Sequence, residues 1–279
     1  MIDDLAVSLV FYYEQILTGA VIGMLTAVIG VFVILRKMIF AGVALSQAAS
    51  SAVVLTLLLE IHSEPIVFVA TVILFSPFYL LQNRLPKYTD AVLAAGLVFF
   101  AALGQVLMSF GGNASNHLVT AFFGNILTMP RQEWHHLWLP AVIGVVVFVS
   151  FYRSIILVSF DRIFARTTRV SVVLVEFVFF SLLTACLTTA IYLMGSFYSI
   201  AHLVIPGLIG LWFSRSIKTA LVIAAIISFA STIAGFTLSL IPIQVLGTSI
   251  HLPTSSTVIL IMSVGLLSIV SRLFLTSSK

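Results

Sequence analysis

The chain has 279 residues, of which 61% are hydrophobic and only 8% are charged. A water-soluble domain carries roughly 25% charged residues, so this composition cannot build a solvated surface, and the chain reads as an integral membrane protein. The formal net charge of +4 does not point to nucleic acid, because the cations stand in small clusters between apolar segments, as membrane topology requires.

Apolar runs of spanning length fall at about 12–35, 38–59, 65–82, 89–110, 134–152, 171–193, 198–214, 219–241 and 254–275. A helix needs roughly 20 residues to cross the hydrocarbon, so 65–82 and 198–214 are short, open to being broken or tilted. The expectation is an all-α polytopic membrane protein of about nine spans, eight being the alternative, in a single transmembrane domain over residues 1–279.

The chain begins Met1-Ile2-Asp3-Asp4, acidic where a cleavable signal peptide is basic, so none is expected. The first run carries Glu14 near its outer end and Gly19 and Gly23 within it, and stops at Arg36/Lys37. The second holds Gly42, Ser46 and Ala49 with one amide, Gln47, and opens onto Glu60, His62 and Glu64. Small residues three or four apart let helix backbones approach closely. The third returns to Arg84/Lys87, and the fourth ends at "GGNASN". With the basic clusters inside, the N-terminus lies outside.

The segment 117–130 is too short to span. As a re-entrant or surface helix it leaves Arg153 and the basic loop after it in the cytoplasm. In "RQEWHHL", Glu133 and His136 are three apart on one helix face and are metal candidates; the other reading is an interfacial belt held by Trp134 and Trp138.

"SFDRIFARTTRV", Ser159–Val170, is the most distinctive polar stretch. Asp161 can cap a short helix. Phe160 and Phe164 fall on one face, and Arg162, Arg166 and Arg169 make another side cationic. Such a loop either docks a partner or rests on lipid headgroups.

The next run bears Glu176 near its cytoplasmic end and Cys186, the single cysteine, which excludes an intrachain disulfide. The 198–214 run contains His202 and Pro206, with Met194 before it. Pro206 is expected to break the helix near His202, and broken helices often mark transport sites; the other reading of His202 is a packed or hydrogen-bonded histidine. Gly207 and Gly210 follow, then Arg215/Lys218, the two last runs and Arg272/Lys279.

No catalytic constellation and no GxxxxGK[ST] phosphate loop is present, and the acidic or histidine candidates for a powered transporter are few: Glu14, Glu176 and His202. A chain that is almost all membrane moves something across it, and here a partner must supply the energy.

Three stretches fit a known family in chain order. "VSFDRIFAR", Val158 to Arg166, resembles the SFDxEFAR loop of ABC-3 permeases, the membrane subunits of zinc and manganese ABC importers. "GSFYSIAHLVIPG", Gly195 to Gly207, is similar to their GxLLVxALLxxPA segment, and "LPTSSTVIL", Leu252 to Leu260, to their LPTGPTIVL. The opening spans resemble the family's first two, with their RRM-xxFGDxLSH core. The resemblance implies an importer permease of vitamin B12-importer-like architecture in the bacterial inner or plasma membrane, and no permanently bound cofactor. It implies four partners: an ATP-binding subunit that hydrolyses ATP in trans, an extracytoplasmic substrate-binding protein, a second permease copy, identical or different, and membrane lipid. The loop 159–170 becomes the coupling segment, with Ser159, Phe160, Asp161, Phe164, Ala165 and Arg166 at the ATPase.

The family's GDxLSH puts an Asp and a His four apart, a sensible transient pair for a divalent metal. The matching positions here are Val43 and Gln47. One reading keeps a zinc, manganese or iron ion as substrate and moves the ligands, with Gln47, His202 and Pro206 as pathway candidates. A second makes the substrate a metal chelate or small organic solute. A third is a non-transporting scaffold on the permease fold.

Overall fold

The computed structural model describes residues 2–61, 63–110, 134–245, 248–250 and 252–277. In hydrocarbon every backbone N–H and C=O must be bonded within the protein, which leaves helices as the available spanning form for such runs. The helices are α1 (Ile2–Leu35), α2 (Ile39–Leu58), α3 (Glu64–Arg84), α4 (Thr89–Ser109), α5 (Trp134–Phe160), α6 (Arg162–Thr167), α7 (Val172–Met194), α8 (Ser196–Phe213), α9 (Ile217–Ser239) and α10 (Thr254–Ser277). Among the described residues eight helices are long and apolar enough to cross a membrane. α10 corresponds to the ninth run.

Among the described residues one pair of elements is not helical. A two-stranded antiparallel ribbon, β1 (Ile243–Val245) and β2 (Thr248–Ile250), pairs Ile243 with Ile250 and Val245 with Thr248 between α9 and α10. The ribbon is a small addition to a bundle that is otherwise helical, as expected from the sequence.

α1 and α2 form the centre. Of the most apolar stretch of α2 78% is buried, against 11% of that of α5. α2 packs on α3, α4, α7 and α8, and α1 on α5, α7, α8 and α9. Leu45, Val53, Phe100, Phe179, Leu183 and Leu203 belong to the main core. α1 and α8 meet tightly at Gly30, where a Cβ would overlap the Leu203 carbonyl, and Gly207 lies opposite, against the Gly30 and Val31 backbone.

The expectation of a break at Pro206 is corrected. α8 runs unbroken from Ser196 to Phe213 with Pro206 inside it, as α3 does through Pro77. Helices packed in a membrane tolerate the lost bond, and the sharp bend lies earlier, at Gly195, whose φ of 83° joins α7 to α8.

Basic residues among the described ones gather at one end. Arg36, Lys37 and Arg162 line one cleft, and Arg153 and Lys218 another. This is the grouping the positive-inside pattern demands, and that end is called cytoplasmic below.

Candidate functional site

On α2 the residues Phe40, Val43, Gln47 and Ser51 follow one stripe, at helical spacings of three and four. Burial deepens along it. Phe40 is 49% exposed, Gln47 8% and Ser51 0%. At its deep end Ser51 donates to the Phe100 carbonyl at 2.6 Å, so the stripe passes under α4. Ser46 donates back to the Val43 carbonyl at 2.7 Å. Among the described residues the Gln47 amide makes no hydrogen bond, and the buried Ser50 hydroxyl, three residues on, has no partner either. Two neutral polar groups thus sit unpaired beside each other on the helix where Val43 lacks a donor atom.

His202 and Pro206 are placed differently from the sequence expectation of a pathway lining, for both are buried in α8. His202 has no exposed surface. Its Nδ1 donates to the Tyr198 carbonyl at 3.0 Å, and its Nε2 lies 3.0 Å from Thr232 Oγ1 on α9. The Tyr198 hydroxyl lies 3.0 Å from the same Thr232 oxygen and donates to the Gly19 carbonyl at 3.1 Å. Gly23 leaves room for both rings, since a Cβ there would come within 2.6 Å of each. Both imidazole nitrogens are engaged, so His202 ties α8 to α9 rather than offering a free ligand. Met194 is equally enclosed. Glu133 and the side chain of His136 lie outside the described residues.

The polar segment after α5 folds as the sequence suggests at its first residues. Asp161 caps α6, accepting from the Ile163 and Phe164 N–H groups at 2.9 Å each. Ala165 is fully buried and pins the short helix, while Phe160, Ile163 and Phe164 are 63%, 77% and 54% exposed. Arg166 is exposed as well. Ile163, absent from the sequence reading, is the most exposed of the three large apolar groups. Ser159 turns inward, accepting from Arg36 Nε at 2.8 Å and donating to the Ile155 carbonyl. Arg162 pairs with Glu176 of α7 at 2.9 Å.

Between the α1–α2 corner, the end of α3 and α7 lies a polar cleft of about 290 Å³ with Lys37, Gln82, Asp90, Arg162 and Glu176 on its walls. It adjoins an apolar crevice of about 400 Å³ between α3 and α7, lined by Val72, Phe75, Phe177 and Thr184, with Tyr79, Glu176 and Phe180 shared by the two. Among the described residues no group of three or more His, Cys, Asp and Glu side chains is placed to hold a metal.

Comparison with known proteins places the whole chain rather than its individual residues. The chain is 30% identical over 254 residues to the manganese transport system membrane protein MntC of Halalkalibacterium halodurans, covering 88% of this chain and 84% of that protein. It is 24% identical to the high-affinity zinc uptake system membrane protein ZnuB of Haemophilus influenzae, over 81% of this chain and 87% of the other. The fold superposes on PsaBC from Streptococcus pneumoniae, solved in complex with Fab, with a TM-score of 0.82 at 21% identity, covering 96% of this chain and 94% of that one. A metal-chelate type ABC transporter in an inward-facing conformation matches with a TM-score of 0.71 at 15% identity, over 98% and 90% of the two chains. The ABC 3 transport family matches residues 8–272, nearly the whole chain, and the protein belongs to that family.

Proposed function

We propose that the chain is the permease subunit of an ATP-driven importer for a divalent metal ion, manganese or zinc before iron. The observation that carries the reading is the exposed apolar face of Phe160, Ile163 and Phe164 on a capped six-residue helix at the cytoplasmic end. Such a surface fits a cleft in a soluble ATP-binding subunit. Asp161 sets the helix, Arg166 adds charge at its rim, and Ser159 and Ala165 hold it to the bundle. On the opposite side a substrate-binding protein delivers the ion, and a second permease copy completes the pathway. The relatives' names supply the metal.

The pathway residues of this reading are Val43, Gln47 and Ser50 on α2. Neutral amide and hydroxyl oxygens hold a hydrated cation weakly, which suits passage more than storage. The same donor set supports a second reading, in which the cargo is a metal chelate or small organic solute recognised by hydrogen bonds. A scaffold has no use for the exposed helix face.

The test is ATP hydrolysis by the complex with its ATP-binding subunit and binding protein in vesicles, after chelation, with Mn²⁺, Zn²⁺ and Fe²⁺ added singly. Stimulation of severalfold by one ion, with uptake of that ion, is the expected result. A complex that assembles but answers to no bare ion transfers the assignment to the second reading. A chain that binds no ATP-binding subunit removes both.

A further inference from the structure

Arg36 follows the last residue of α1, at the foot of the two helices that flank the coupling segment. Its Nε donates to Ser159 Oγ at 2.8 Å and its Nη2 to the Ile155 carbonyl at 3.4 Å, both on α5, the arm leading into the segment. Its guanidinium carbon lies 4.0 Å from the centroid of the Phe179 ring on α7, the arm leading out. Ser159 is itself fixed, donating to the Ile155 carbonyl, and stands two residues before the cap Asp161. One turn before Phe179, Glu176 holds Arg162 of α6.

On its other side Arg36 is built into a tight corner. Its N–H closes the last turn of α1 on the Phe32 carbonyl at 2.9 Å, Lys37 follows at a φ of 57°, and the Met38 N–H returns to the Val33 carbonyl at 2.9 Å. α2 starts at Ile39, and Gly42 lies against Leu203 and Val33. A displacement at Arg36 therefore moves the first turn of α2, and Phe40, Val43 and Gln47 follow within about two further turns.

We propose that Arg36 is a positioning residue that transmits movement of the coupling segment to α2, by tying both arms of that segment to the α1–α2 corner. The proposal rests on the transport reading. A planar guanidinium can donate in its plane to Ser159 while its face covers Phe179; the compact ammonium of lysine cannot do both. Burial pushes the Arg36 pKa down to about 10, with Glu176 opposing the fall and Arg162 adding to it. The side chain is thus cationic at neutral pH.

The experiment uses the assembled complex in vesicles, with Mn²⁺ and Zn²⁺ as probes and wild type, Arg36→Gln and Arg36→Lys compared. Arg36→Gln is expected to keep basal ATP hydrolysis within twofold of wild type while ion uptake per ATP falls at least tenfold. Arg36→Lys is expected to recover only part of the ratio. Nitroxide labels at the exposed Thr167 and Phe40, in a Cys186→Ala background, are expected to report a nucleotide-dependent distance change that Arg36→Gln abolishes. If Arg36→Gln lowers yield while the complexes that do form import ions at the wild-type ratio, Arg36 is a fold-stabilising residue and the proposal is wrong. Should Arg36→Gln fail to assemble, a wild-type ratio in Arg36→Lys overturns it just as well. A wild-type complex that moves no ion overturns the transport reading itself, a distinct outcome.

Discussion

Single residues fix how closely α1, α8 and α9 pack, and two of them allow sharp tests. A methyl at Gly30 meets the Leu203 carbonyl, whereas Gly144 on α5 has no atom within 4 Å of such a methyl. Overpacking of a tight contact costs about 1–3 kcal/mol. Gly30→Ala is therefore expected to lower the thermal unfolding midpoint in detergent by several degrees, and Gly144→Ala to leave it in place; equal midpoints would show that α1 and α8 yield freely. Thr232→Val is nearly isosteric but leaves His202 Nε2 without its partner. The cost is about 1–2 kcal/mol, at the lower end of what a buried unpaired group incurs, because bonds between membrane helices are individually weak. Uptake per assembled complex is expected to stay unchanged, and a changed ion preference would return His202 to the pathway. The sequence marked Gly19, Gly23, Gly42, Gly207 and Gly210 but not Gly30. Spacing within one helix reveals a small-residue ridge, whereas Gly30 matters through a carbonyl on another helix. In the same way His202 was visible as a polar residue in an apolar run, but its partner Thr232 is 30 positions away and no local pattern names it.

At the scale of elements, local rules were legible where they act locally. Asp161 before a short apolar run signals an N-cap, and α6 starts there. Asp161→Ala should remove about 1 kcal/mol from that helix. Amide exchange at Ile163 and Phe164 is expected to speed up severalfold and the affinity for the ATP-binding subunit to fall with it. Asp161→Asn, which keeps the capping oxygen, is expected to behave as wild type, and equal exchange in all three proteins would deny the cap a role. Pro206 reads as a break because an interior proline removes a helix hydrogen bond, but in a packed membrane bundle the surroundings keep the helix running. The β1–β2 ribbon escaped notice because three-residue strands are too short for a period of two to stand out, and "VLGT" lacks the Asn-Gly or Asp-Gly turn that marks a tight hairpin.

For the whole molecule, the sequence narrowed the spans to nine or eight and located the basic ends, since length, apolarity and the placing of Arg and Lys are properties of the chain alone; among the described residues eight helices reach spanning length. It did not tell which faces are spoken for. α2 packs on four helices and is largely buried, while little of the described part of α5 is buried, and that contrast arises only once the bundle is assembled. The exposed trio Phe160, Ile163 and Phe164 is the outward face on which assembly with an ATP-binding subunit is expected to depend. Buried aromatic anchors at an interface commonly carry 2 kcal/mol or more each, and about 1.4 kcal/mol is a tenfold change in affinity. Phe160→Ala with Phe164→Ala should therefore weaken co-assembly about 100-fold or more, measured by titrating the ATP-binding subunit onto the permease in nanodiscs, while the unfolding midpoint of the permease alone stays where it was because neither ring is enclosed. Ile163→Asp is expected to act alike through desolvation of its charge. If the titration curves of all three proteins coincide, the face rests on lipid headgroups instead, and the site of energy transfer must be sought along the polar cleft beside Lys37 and Asp90.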